Sequence, residues 1–245
     1  MQHQVNAPYP NLNISSLGFR VGEIVVVLLV PLILLLSLGN WAGGNPMKNL
    51  VVVWTSYIGM FAIIWLGLKI RGESWSKFGV TFEKPSLKTV FSVFAWSVLV
   101  CILAAAGFIL GSIIMSNVAV TTEPADFTNY NYLKDNVGML ILTLAGVYVI
   151  SSFGEELIFR AFLITRLTEI LPDNKLMNTF SVILGAIIFG FAHYEWGPMG
   201  IVQTGFMGLV MGIAYVTLKR RLWILVLAHA YLDTILILQL YLGNG

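Results

Sequence analysis

Long apolar stretches alternate with short polar ones along the chain, at approximately residues 23–38, 51–68, 87–115, 137–164, 177–193, 200–218 and 222–242. Apolar runs of about 18 to 25 residues are long enough to cross a hydrocarbon layer of roughly 30 Å as helices. The strict two-residue alternation of a lipid-facing barrel strand is absent. Only helices and closed barrels satisfy their own backbone in lipid, so the pattern predicts an all-α, polytopic transmembrane bundle of about seven to eight helices. The third and fourth stretches are long enough to tilt, to bend or to hide an eighth helix at a break. Gly43-Gly44-Asn45-Pro46 and Trp196-Gly197-Pro198 punctuate two of the connections. Residues 1–22 are expected to form an N-terminal tail and residues 23–245 a single membrane domain. The first apolar run lacks a small-x-small cleavage site and is expected to be retained as a span.

Composition sharpens this picture. Of the 245 residues, 58% are hydrophobic and 11% charged, and the mean hydropathy is +0.84, which excludes a water-soluble core. A net charge of +2 recruits no nucleic acid. Cys101 is the only cysteine, so an intrachain disulfide is impossible and a cysteine-ligated zinc site is not expected. The basic residues carry information by position. Lys69, Arg71, Lys77, Lys84 and Lys88 fill the second connection, Arg166 and Lys175 the fourth, and Lys219, Arg220 and Arg221 the sixth. The opposite connections hold Lys48, then Lys134 among Glu123, Asp126 and Asp135, then no Lys or Arg. Retention of positive charge in the cytoplasm places the N-terminus there and the C-terminus outside. Segment 73–79, with Trp75, Phe78 and flanking lysines, reads equally as a short interfacial helix and as an anchored loop. Trp41, Trp54, Trp75, Trp196 and Trp223 fall near span ends, as an interfacial belt requires. Small size and short polar termini favour a bacterial plasma membrane.

A charged side chain at membrane depth costs at least about 2.5 to 3.5 kcal/mol, so each one needs a partner or a task. Here they are few: Glu155, Glu156 and Arg160 in the fourth span, His193 closing the fifth, and His229 with Asp233 in the seventh. Glu156 and Arg160 are four apart, the favourable offset for an intrahelical ion pair, so Arg160 reads as structural. On an α-helix Glu155 is turned about 100° from Glu156. It is freer to project into a cavity and is the candidate general base. His229 and Asp233 are again four apart, so the carboxylate can bond the imidazole or stand beside it at the same ligand or water. Phe189 shares a face with His193 and can pack its ring. Any one such pair could be no more than a satisfied buried hydrogen bond; six costly groups in three spans are harder to explain that way. One tension remains. Glu155 is eleven residues before Arg166, or roughly 16 Å below the cytoplasmic edge, whereas His193 falls at the far end of a straight fifth span. Tilted helices, a fifth span stopping mid-membrane, or different span boundaries would reconcile the two. Gly208 with Gly212 and Ala186 with Gly190 read as close helix packing, and Glu195 as a water-facing loop carboxylate.

Hydrolysis is the chemistry that wants a carboxylate and imidazoles together. The carboxylate activates water while the imidazoles bind a metal, assist the base or donate to an oxyanion. Glu155, His193, His229 and Asp233 are also a candidate ligand set for Zn2+, with a position left for water; a metal-free mechanism stays open. No Gly-x-Ser-Gly, Gly-x-Gly-Asp or His-Glu-x-x-His is present, which sets aside rhomboid-like, presenilin-like and site-2-like enzymes.

The run Glu155-Glu156-Leu-Ile-Phe-Arg160 resembles the Glu-Glu-x-x-x-Arg motif of the CAAX-protease and bacteriocin-processing (CPBP, or Abi) intramembrane peptidases. Phe189-Gly-Phe-Ala-His193 resembles their Phe-x-x-x-His motif, and His229-Ala-Tyr-Leu-Asp233 their third, His-x-x-x-Asn or Asp. The resemblance implies that the domain is an intramembrane peptidase, that Glu155 activates water with His193 beside it, and that His229 and Asp233 stabilise the oxyanion or hold a metal. Glu156 and Arg160 would support the site. Asp233 departs from the Asn of the eukaryotic-type prenyl-protein proteases, and an ionised Asp cannot donate to an oxyanion. The expected partners are a lipidated protein or a peptide of pheromone or bacteriocin type, together with membrane lipids. The competing functions are a non-proteolytic or bacteriocin-immunity partner of a sensor kinase or receptor, and a transporter or bis-histidine haem protein.

Overall fold

A computed structural model describes residues 17–81, 84–118 and 123–243; residues 1–16 of the expected tail lie outside the described residues. Within them, helices long and apolar enough to cross a membrane number seven. They are α1 (Leu17–Ala42), α2 (Pro46–Arg71), α3 (Leu87–Val118), α4 (Val137–Ile170), α5 (Lys175–Ala192), α6 (Gly197–Thr217) and α7 (Leu222–Tyr241). No strand occurs among the described residues.

Local chemistry sets the helix ends. Asn45 caps α2 by accepting from the backbone of Met47 and Lys48, with Pro46 in the first turn. Asn136 and Asn174 cap α4 and α5 through Met139 N and Met177 N. Gly72, at φ 66°, closes α2. Segment 73–79 forms a short 3-10 helix, Trp75–Phe78, anchored to the bundle by Phe78, which is fully buried, 6.1 Å ring to ring from Phe162 of α4. Gly79 ends this turn at φ 77°, and a Cβ there would lie 1.9 Å from the carbonyl oxygen of Arg220. The turn therefore docks against the α6–α7 connection only because residue 79 has no side chain.

The third span runs unbroken, and the fourth hides no eighth helix. The irregularity in α4 is a change of winding, since Tyr148–Ile164 is π-helical. Every residue from 154 to 167 is buried, because this stretch is the axis of the bundle, packed by α2, α5, α6 and α7. A helix covered on all sides by other helices needs no polar face. It is also the place where ionisable groups can be held away from lipid.

Span boundaries resolve the depth problem. The fourth span continues to Ile170 rather than stopping at residue 164, and the fifth begins at Lys175. Glu155 stands fifteen residues before the end of α4 at Ile170 and His193 eighteen residues after the start of α5 at Lys175, and those two ends are joined by residues 171–174 on one side of the bundle. Arg166 is not in a connection. It sits inside α4 with its side chain fully buried, so it no longer counts as a loop charge in the orientation argument.

Candidate active site

All seven residues singled out from the sequence converge. Glu155, Glu156 and Arg160 project from the π-helical part of α4, Phe189 and His193 from the end of α5, and His229 and Asp233 from the middle of α7. The π winding bonds each N–H five residues back rather than four, so neighbouring side chains diverge by less than the 100° expected of an α-helix. Both glutamates consequently face the site.

Two hydrogen bonds orient the imidazoles. His193 Nδ1 is 3.0 Å from the carbonyl oxygen of Phe189, which can only accept, so Nδ1 donates and Nε2 is left an acceptor. His229 Nδ1 is 2.8 Å from Glu156 Oε1. Both Nε2 atoms then lie 3.9 Å from the same oxygen, Glu155 Oε2. That oxygen is buried and has no hydrogen-bond partner within the protein. A gap of 3.9 Å is too long for a direct hydrogen bond and short enough for one water to touch both sides. The Glu155 and His193 side chains are 11% and 14% exposed through their other atoms, so the surroundings of that oxygen reach the outside only narrowly.

Glu156 has a larger part than that of Arg160's partner. Its Oε1 lies 2.9 Å from Arg160 Nη1 as well as bonding His229, tying the first motif to the third. Asp233 does not take the imidazole bond. Its Oδ1 is 3.6 Å from His229 Nε2 while Oδ2 accepts from Ser152 Oγ at 2.7 Å; of the two geometries open from the spacing, it stands beside His229. Phe189 is the hub, fully buried. Its ring meets His193 edge-on at 4.7 Å, Phe159 at 5.2 Å, and the Arg160 guanidinium at 3.9 Å. Gly208 makes room for it, because a Cβ there would come within 2.7 Å of Phe189 Cδ1. Gly212 does the same for Val182 and Gly190 for α6, as the small-residue spacing predicts.

The site roles of five residues escaped the sequence reading. Ser151 Oγ lies 3.5 Å from His229 Nε2, and Ser152 holds Asp233; standing four residues before Glu155 and Glu156, they were open to detection by spacing. Trp196, expected in the interfacial belt, instead packs on His193 at 4.9 Å and on Phe127 at 4.9 Å. Residues 126 and 127 of the α3–α4 connection thereby lie against Trp196, held also by Asp126 N to the Trp196 carbonyl at 3.3 Å. Within the same connection, burial and then the charges of Tyr132, Asp233, Glu155 and Glu195 hold the Tyr130 phenol well above its ordinary value, keeping it a neutral donor near the opening. Tyr57 of α2 donates to Glu155 Oε1 at 3.1 Å, and nothing in the pattern of α2 marks it.

The donor set was a candidate for zinc. Among the described residues, no group of three His, Cys, Asp or Glu side chains is arranged to hold a metal ion.

Residues 137–235 match the family described as Rce1-like, type II CAAX prenyl endopeptidase. No curated protein and no solved structure matches the chain. The matched region contains every motif residue from Glu155 to Asp233, and over it the chain is similar to the Rce1-like type II CAAX prenyl endopeptidases.

Proposed function

We propose that the protein is a multi-pass intramembrane endopeptidase, a single peptidase domain that hydrolyses a peptide bond in a lipid-modified C-terminal tail or in a membrane-associated peptide. The observation that carries this is the convergence of His193 Nε2 and His229 Nε2, from two helices, on the one unpartnered oxygen of Glu155. A water between Glu155 Oε2 and His193 Nε2 meets two acceptors, which turns its lone pairs towards a substrate carbonyl. Glu155 takes the proton as the new C–O bond forms. His229, with Nδ1 donated to Glu156, donates from Nε2 to the developing oxyanion as an imidazolium. Asp233 accepts from Ser152 and sits beside that nitrogen, so it supports the imidazolium instead of donating. As the C–N bond breaks, Glu155 returns its proton to the leaving amine. No step in this sequence calls on a metal ion. In the orientation proposed from the loop charges, the N-terminus is cytoplasmic.

The test is cleavage of prenylated and unmodified peptides by the detergent-purified protein, beside Glu155→Gln. Loss of a general base costs about 10²–10⁴-fold, so the variant is expected to fall to background while purifying as well as the parent. Cleavage is expected to survive a chelator, and bound zinc to stay well below one per chain. An equally active Glu155→Gln protein removes the assigned base. A cellular phenotype that persists when Glu155 and His193 are both replaced favours a non-proteolytic partner.

A further inference from the structure

The matched region begins at residue 137, yet one of the side chains that touches the proposed base comes from α2. We infer that Tyr57 is a positioning residue of the active site, and that its hydroxyl dedicates one oxygen of Glu155 to structure and leaves the other for chemistry. This rests on the peptidase reading above and deepens it.

Three observations support it. Tyr57 Oη donates to Glu155 Oε1 at 3.1 Å across 98 positions of sequence. Glu155 Oε2, the other oxygen, has no partner and is the atom that both imidazoles face. A carboxylate with one oxygen bonded cannot rotate freely about its last bond, so the hydrogen bond to Oε1 fixes the direction of Oε2. Tyr57 itself is seated against α4 by Gly154, the residue before the base. A Cβ at 154 would lie 3.1 Å from Tyr57 Cδ1 and 3.1 Å from Phe61 Cζ. The missing side chain lets the ring approach α4 closely enough for its hydroxyl to reach Glu155. Tyr57 and Phe61 stack edge to face at 6.3 Å, and Phe61 meets Phe153 of α4 at 6.4 Å; the phenol therefore has packed walls as well as a polar target. A tyrosine held this way is more than an apolar residue filling a helix interface.

Steady-state cleavage by Tyr57→Phe, in the full-length protein in detergent, tests the role. The ring and its packing remain and only the hydroxyl is lost. The kcat is expected to drop roughly 10- to 100-fold, the range of one hydrogen bond to a charged group, with KM and the melting temperature close to the parent's. A structural residue would lower the melting temperature and leave kcat per folded molecule unchanged, and that result overturns the inference. So does a raised KM at unchanged kcat, which would make Tyr57 a substrate contact. Gly154→Ala provides a second route that keeps the hydroxyl: pushing the ring by a few tenths of an ångström is expected to lower kcat in the same direction by a smaller factor. Glu155→Gln run alongside separates the two levels. If it is inactive and Tyr57→Phe turns over like the parent, only the positioning role fails; if Glu155→Gln is as active as the parent, the base assignment fails first and the positioning role with it.

Discussion

Glu156 pairs with a guanidinium and bonds an imidazole through one oxygen, and its side chain is fully buried. Removing one member of a buried ion set strands the others, at about 3 to 5 kcal/mol. Arg160→Ala should therefore destabilise the protein by about that amount, read as a lowered unfolding midpoint in detergent. Pairing it with Glu156→Gln is expected to cost less than the two single changes added together, since the stranded charge is also removed. The pairing of Glu156 with Arg160 was legible in the sequence because it is local and four residues long. The bond from Glu156 to His229 spans 73 positions, and no helical periodicity encodes it; on spacing alone, Asp233 was the natural partner for that imidazole. Ser152 takes Asp233 away from that role.

One step up, α4 and α5 hold the site through their winding and their contact with α6. The apolar pattern identified all seven spans because each needs enough hydrocarbon length to cross a bilayer. It gave no sign of the π winding, which alters the direction of side chains and leaves hydrophobicity unchanged. Gly208 illustrates the opposite case. Its small-residue spacing pointed to packing, and the packed object proves to be Phe189. Since the Phe189 carbonyl also fixes the His193 ring, Gly208→Val should do two things. Overpacking is expected to cost about 1 to 3 kcal/mol, and activity per folded molecule should fall as His193 loses its register. Circular dichroism melts and cleavage assays on the same preparation separate the two effects.

Across the whole molecule, a second ionic cluster fastens α1, α2 and the Trp75–Phe78 turn to the far half of α4. Arg166 lies 3.2 Å from Glu23, 2.8 Å from Glu73 and 3.0 Å from Glu169; Arg71 pairs with Glu23, and Lys77 with Glu73 and Glu169. A basic residue near the end of an apolar run looks like a loop charge, and that is why Arg166 was misplaced: two of its partners come from distant segments, α1 and the α2–α3 connection. Burial acts to raise the Glu73 carboxyl, but hydrogen bonds from Arg166 and Lys77 outweigh it and hold the group below its ordinary value of 4.5. A group depressed on folding adds stability above its unfolded value and loses it as pH falls through its folded one. The melting temperature is accordingly expected to decline on acidification below about pH 4.5, and Glu73→Gln to flatten that decline. An unchanged slope would assign the acid sensitivity to other carboxylates.

The same cluster has a consequence for how the chain is made. Glu23 emerges from the ribosome first, while its partner Arg71 follows 48 residues later and Arg166 143 residues later. Until then α1 carries an unpaired carboxylate that a bilayer accepts only at about 2.5 to 3.5 kcal/mol or more. The first helix is thus poorly suited to partition into lipid alone, and its stable insertion should wait for the second, so that the α1–α2 hairpin enters as a unit with its charge already neutralised.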